Sequence, residues 1–434
     1  NRVCNQNEVF ASMPCHGRDR VQQRRSDGVF MRLVAPFGFY GSGNIGDEAT
    51  LLGFGRLIER FGGSIGVDVA SSDPSHTKRV EPAFRYYQYV DGIMGLPAKL
   101  HAHMGAGYII PGGTPLMDNL GDWPLLSLGG MLQHAGNWGK PAAFVGVGVE
   151  QLRHDISRQR VQEQIIPNVM CWSVRSVHDR DRLLDLGVAP ELITVAADMA
   201  WLLDPADPAY GRKVTQRLGL GGRPVIGVNI NAEDHMVEKA PRLFTELAAG
   251  LDELVKSHGA RILFLFNEVR EGETYDQAAA ELVRSLMSRK DAVLMGPTDY
   301  LTPQEMMSII AQCAMTISTR YHFCVFSALQ GVPFLGIRRS DKVSDLCRDL
   351  GWKAAVDPDT ATGADIASTG DRLLGDPAAD LKKLADKIAG MRVRAEDNQI
   401  ALEALLQAMR GVGMQTWVRH AASRVGQKLG GGVR

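Results

Sequence analysis

The 434-residue chain is 45% hydrophobic and 22% charged, with 48 Lys and Arg against 49 Asp and Glu and a formal net charge of −1. That apolar content excludes a disordered chain, and 47 glycines without a three-residue period exclude collagen. The balanced charge argues against a nucleic-acid partner, which a basic domain would signal.

Residues 1–30 are polar and aperiodic, lack an apolar signal-peptide core and read as a disordered or non-native extension, with Met31 opening the first strand. From there short apolar runs alternate with amphipathic stretches. Strands are predicted at 32–38, 65–70, 105–110, 142–148, 170–174 and 193–197, with helices at 48–61, 124–136, 155–166 and 178–186. The Pro- and Gly-rich stretch after Leu203, DPADPAYGRKVTQRLGLGGRP, marks a domain boundary. A second alternation follows, with strands at 224–230, 261–266, 292–296, 314–318 and 333–337. Its helices are predicted at 237–258, 273–289, 302–312, 322–330 and 341–350. From about 365 to 410 the pattern is helical only.

This order predicts an α/β protein of two Rossmann-like domains, 31–205 and 222–360, whose parallel sheets face a central cleft. Helices at 361–410 pack back over the first domain, and 411–434 form a basic tail. Trp417, Val418, Val425 and Leu429 give that tail an apolar face suited to peripheral contact with an anionic membrane, although a frayed tail is the simpler reading. No apolar run reaches the roughly 18 residues of a membrane span. The six cysteines form no CxxC pair and read as reduced thiols of a cytoplasmic protein, with no zinc site.

Gly41-Ser42-Gly43-Asn44-Ile45-Gly46 fits GxGxxG between a strand and a helix. Asp47 and Glu48 follow directly, where they suit the helix dipole but would repel a pyrophosphate. The loop therefore reads as a tight turn offering Asn44, Asp47 and Glu48 to a hydroxyl-rich ligand, with Asp47 or Glu48 as a general base. The plainer alternative is that the acids only cap the helix.

In the second domain, Ser318-Thr319-Arg320-Tyr321-His322-Phe323 bridges a strand and an apolar helix. Arg320 and His322 then stand at a helix N-terminus, which already favours an anion. Lys342 follows the adjacent strand and can join the same pocket, and Arg175, after the strand at 170–174, can reach it from the first domain. Structural ion pairing remains open for each residue alone, including Arg175 with Asp198.

These segments resemble the polysaccharide pyruvyl transferase family: FGFYGSGNIGDEATL at 37–51, PGGTPLMDN at 111–119, FVGVGVE at 144–150, SVRSVHDRDRLLDLGV at 173–188 and STRYHFCVFSALQGVPFLGIRRSDKV at 318–343. The chain departs from the family pattern in a glycine run shortened to Gly112-Gly113, in Met117 before Asp118 and in Ser176 after Arg175. The resemblance implies a fold like that of GT-B glycosyltransferases, phosphoenolpyruvate as donor and a glycan or lipid-linked oligosaccharide as acceptor, and no cofactor. It implies donor binding by Arg175, Arg320, His322 and Lys342. The mechanism expected from these residues has His322 as proton donor and Asp47 or Glu48 as base toward the sugar hydroxyl, with acceptor contacts from Asn44, Asp47 and Asp118. A nucleotide-sugar glycosyltransferase and a non-catalytic sugar-binding protein of the same fold are the alternatives.

Overall fold

A computed structural model describes residues 31–89, 105–119, 121–232, 242–270 and 275–411. The expected N-terminal extension, and the basic tail beyond Gly411, lie outside the described residues. Among the described residues, thirteen strands form two sheets. The first holds β1 (Met31–Ala35), β2 (Ile65–Ser71), β3 (Arg85–Gln88), β4 (Gly107–Pro111), β5 (Ala142–Val147), β6 (Cys171–Val174) and β7 (Ile193–Val195). The second holds β8 (Val225–Asn229), β9 (Arg261–Phe264), β10 (Val293–Met295), β11 (Met315–Ser318), β12 (Phe334–Ile337) and β13 (Ala355–Val356).

The spatial orders are β3-β2-β1-β4-β5-β6-β7 and β10-β9-β8-β11-β12-β13. Every neighbouring pair is parallel, for example Leu33 beside Val67 and Ile317 beside Val228. Parallel strands covered on both faces need continuous apolar runs, and β4, β5, β8, β11 and β12 are buried at every residue. The strand order reverses between β1 and β4 and between β8 and β11. A crevice opens at such a switch point, beyond the carboxyl ends of the strands.

β1 stops at Ala35 rather than 38, because Pro36 has no N–H to continue the ladder. β3 was not predicted: its sequence is Arg-Tyr-Tyr-Gln at a sheet edge, and only Tyr87 of it is buried. The two-residue β13 is another unpredicted edge strand. The helix expected at 155–166 is α-helical only over Asp155–Arg160, widens into one π turn at Val161–Ile165 and closes in a 3-10 turn at Ile166–Asn168. Within the stretch read as a boundary lies the helix Ala209–Arg217, whose Gly211 N–H donates to Ser308 Oγ at 2.8 Å.

The chain returns to the first sheet through helices Ala378–Glu396 and Asn398–Gly411. Buried Asn398 accepts from Ser173 Oγ at 2.7 Å and donates to the Ala197 carbonyl at 2.8 Å. Arg394 donates to the Ala196 carbonyl at 3.0 Å and pairs with Asp349 of the second domain at 3.0 Å. Among the described residues, no helix is long and apolar enough to cross a membrane.

Candidate active site

The two carboxyl edges meet along a main-chain seam. Asn44 and Glu268 form an isolated antiparallel bridge. The Ile45 N–H donates to the Asn267 carbonyl and the Val269 N–H to the Gly43 carbonyl, both at 2.9 Å. Asn44 also caps helix Ile45–Glu59, accepting from Gly46 N–H at 2.9 Å and from Asn267 Nδ2 at 3.1 Å. Arg270 reaches across to donate to the Ser42 carbonyl and to Ser42 Oγ. The glycine-rich turn is thus part of the contact surface between the domains.

Behind this seam, buried Asp198 is shared between the domains. Its Oδ2 lies 3.1 Å from Arg175 Nη1 and 3.3 Å from Nε2 of His322, and its Oδ1 accepts from the Ala200 N–H at 2.9 Å. Burial pushes this carboxyl up, but His322 and Arg175 pull harder and hold it well below the usual carboxylate range. Arg175 also donates to Thr114 Oγ1 at 2.9 Å and lies 5.5 Å above the Tyr321 ring. His322 stands 3.5 Å from Thr50 Oγ1 on the first-domain helix. A Cβ on Gly46 would fall 2.2 Å from His322 Nδ1, so only glycine leaves room for the ring there.

Asp47 faces this group. Desolvation pushes its carboxyl above the usual range, against the pull of His322, Arg270, Lys342 and Arg175. It sits beside Gly113, which with Gly112 turns the chain after β4 at φ of 69° and 71°, a left-handed region that favours glycine. The shortened glycine run therefore still supplies the residues that this turn demands.

The other candidates are placed as follows. Arg320 is engaged by acids of its own domain, Glu268 at 2.6 Å and Asp276 at 2.9 Å, and Glu268 also holds Arg270 at 3.2 Å. Lys342 pairs with Glu150 of the first domain at 2.8 Å. Asp118 is buried, and its Oδ2 accepts from the Arg153 and His154 N–H groups at 2.9 and 3.0 Å, so it anchors that segment.

Glu48 differs from the expectation of a base open to the acceptor. It is wholly buried, accepting from the Gly41 N–H at 2.6 Å, from the Tyr300 hydroxyl at 3.0 Å and from Thr77 Oγ1 at 3.3 Å. Tyr300 in turn stacks on His76 at 3.5 Å. Glu48 thereby ties the glycine turn to the second domain, because two carboxylates in one helical turn place their side chains about 100° apart.

Burial raises the Glu48 carboxyl from 4.5 to about 7. The native state therefore holds a proton that the unfolded chain has already lost between those values, and stability falls as pH rises through that window. Glu48→Gln is expected to remove that fall and to raise the melting temperature above about pH 7, with little change near pH 4. Thermal melts of both forms across that range check it, and parallel profiles would exclude Glu48 as their source.

Sequence reasoning did not see Glu150, Arg270 or Tyr300 as site neighbours, because their partners come from the other domain. Asp198 was visible only as a mate for Arg175, although its place after β7 at the carboxyl edge was a usable signal. Among the described residues, no group of three or more His, Cys, Asp or Glu side chains is arranged to hold a metal ion.

The profile of the polysaccharide pyruvyl transferase family matches residues 44–341. The chain belongs to that family. The match begins at Asn44 of the glycine turn, ends at Asp341 beside Lys342 and so spans both domains of this pyruvyl transferase family member. None of the curated proteins compared with it matches.

Solved structures with the same fold include a glycosyltransferase from Rickettsia africae, at 11% identity and a TM-score of 0.58 over 87% of this chain and 98% of that one. Anabaena HepE, in complex with UDP and glucose, aligns at 14% identity and a TM-score of 0.57 over 87% and 100%. A UDP-GlcNAc 2-epimerase from Neisseria meningitidis, bound to UDP-GlcNAc, aligns at 10% and 0.54 over 87% and 100%. At such identities the likeness is one of fold, the GT-B arrangement of two facing α/β domains.

Proposed function

We propose that this family member transfers the enolpyruvyl group of phosphoenolpyruvate to two hydroxyls of one sugar, forming a cyclic pyruvate ketal and releasing phosphate. The observation that supports the reading is the convergence on one inter-domain seam of Asp47 with His322, Arg175 and Lys342. Phosphoenolpyruvate carries a carboxylate and a phosphate on three carbons, so it needs several cations within a small volume.

In this scheme His322 delivers a proton to the methylene carbon, and C2 becomes oxocarbenium-like. Asp47, with its raised pKa, takes the proton from the attacking sugar hydroxyl. The second hydroxyl closes the ring as the C–O bond to phosphate breaks, and its proton departs with the phosphate. Arg175, Arg320 and Lys342 hold the donor anions and the leaving phosphate. The donor displaces Glu150 from Lys342, the most exposed of the four cationic side chains. Asn44 and Asp118 support the acceptor side through the turn and the wall that they hold.

The test is phosphate release from phosphoenolpyruvate against a panel of glycan and lipid-linked acceptors, with mass analysis of the sugar product. Transfer from UDP-sugars with no phosphoenolpyruvate consumption would instead favour a nucleotide-sugar glycosyltransferase. Lys342→Ala is expected to raise the phosphoenolpyruvate KM by about ten- to a hundredfold with a smaller effect on kcat, the loss of one contact to a charged group. An unchanged KM would remove Lys342 from the donor site.

A further inference from the structure

A ladder of aromatic rings beside Asp47 takes no part in the chemistry above. The pocket at the carboxyl ends of β1 and β4 is lined by Phe37, Phe39, Tyr40, Asp47, Gly113 and Thr114. Phe37 and Phe39 meet edge to face at 5.7 Å and 77°. Trp123, the first residue of helix Trp123–Asn137, meets Phe39 edge to face at 6.0 Å and 80° and Phe37 at 6.3 Å. The rings pass from buried Phe37 through half-buried Phe39 to Trp123, which is 38% exposed. The ladder ends in an indole at the surface.

The pocket's polar side is equally particular. Asp47 supplies a desolvated carboxylate, and Thr114 adds a hydroxyl that already receives an Arg175 N–H. A pyranose has one face of C–H groups and a rim of hydroxyls. It needs a flat apolar surface on one side and a strong hydrogen-bond acceptor on the other, which is what an exposed indole face near a carboxylate provides.

We infer that the Trp123 indole, buttressed edge to face by Phe39, is the platform on which the acceptor sugar stacks, with its reacting hydroxyls directed to Asp47. This rests on the proposal that the acceptor is a sugar, and it assigns that sugar to the first-domain side of the seam. Trp123 sits at the start of its helix with Pro124 behind it, so replacing the ring leaves the helix's own bonds in place.

The experiment is saturation-transfer NMR of the full chain with methyl glycosides of glucose, galactose, mannose and N-acetylglucosamine, without phosphoenolpyruvate. At least one glycoside should receive saturation, strongest at the ring C–H protons of a single face. Trp123→Ala should cut that signal by about fivefold or more, and Trp123→Tyr should restore most of it. Adding phosphoenolpyruvate should leave the signal in place, because the indole is not among the groups that hold the donor. No signal from any glycoside on the wild type, or an equal signal on Trp123→Ala, overturns the platform. If pyruvyl transfer proceeds with the acceptor KM unchanged in Trp123→Ala, the platform fails while the transferase reading stands. If a glycoside binds at Trp123 but phosphoenolpyruvate is never consumed, the reverse holds.

Discussion

Arg320→Ala should lose activity and, with it, about 3–5 kcal/mol of stability, the usual consequence of removing one partner from a buried ion pair. The sequence places Arg320 at a helix start and suggests a guanidinium waiting for an anion. The structure shows instead two buried carboxylates, Glu268 and Asp276, already on it. Asp276 also accepts from Asn229 Nδ2 at 2.7 Å and from the N–H groups of Asn267 and Glu268 at 2.8 and 3.0 Å. Arg320 therefore neutralises the hub that holds the ends of β8, β9 and β11 together. Urea denaturation of Arg320→Ala checks the stability loss, and a midpoint equal to wild type would refute it. The pair Arg320→Ala with Glu268→Gln separates the two roles. It should regain part of the stability, since one uncompensated charge is gone, yet release no phosphate from phosphoenolpyruvate.

Gly46→Ala should act in the opposite manner, sparing the fold and disabling the site. Gly46 is the second residue of a helix, and alanine there is favoured by up to about 1 kcal/mol. The added methyl would lie 2.2 Å from His322 Nδ1 and 2.8 Å from its Cγ, closer than real contacts allow. His322 must then leave its place between Gly46, Thr50 and Asp198, or the domains must part. Displacing a catalytic group by about 1 Å costs on the order of a hundredfold in rate. Phosphate release under saturating donor measures the loss, and an unchanged melting temperature confirms that the fold survives. A variant within about threefold of wild type would show that His322 is not the group being positioned.

These two residues show where the sequence was legible and where it was not. Strands such as Val225–Asn229 and Phe334–Ile337 declare themselves as apolar runs because both sheet faces are covered. Edge strands such as Arg85–Gln88 do not, since half their side chains meet water and their identity depends on a neighbour. The site followed the same division. His322, Arg320 and Lys342 could be placed at carboxyl strand ends from chain order alone. Their partners could not: Glu150 and Lys342 are 192 residues apart in sequence, and Glu48 and Tyr300 are 252 apart. Such pairs exist only once two domains have docked, and neither periodicity nor composition encodes that angle. The clearest sign of it was Gly46, a glycine inside a helix, which reads locally as a weakness and is explained only by an imidazole from the other domain.

The seam that aligns those domains includes bonds made by main chain alone, and this governs which changes the protein tolerates. The bonds from Ile45 to Asn267 and from Val269 to Gly43 use peptide groups that nearly every amino acid carries. Exchanging the side chain at position 45 or 269 leaves those two bonds in place, whereas the side chains of Asn44, Asn267 and Glu268 carry bonds of their own. Proline alone, at 45 or 269, would delete a bond outright. The main-chain share of the alignment is thereby insulated from the variation through which a new acceptor preference would arise.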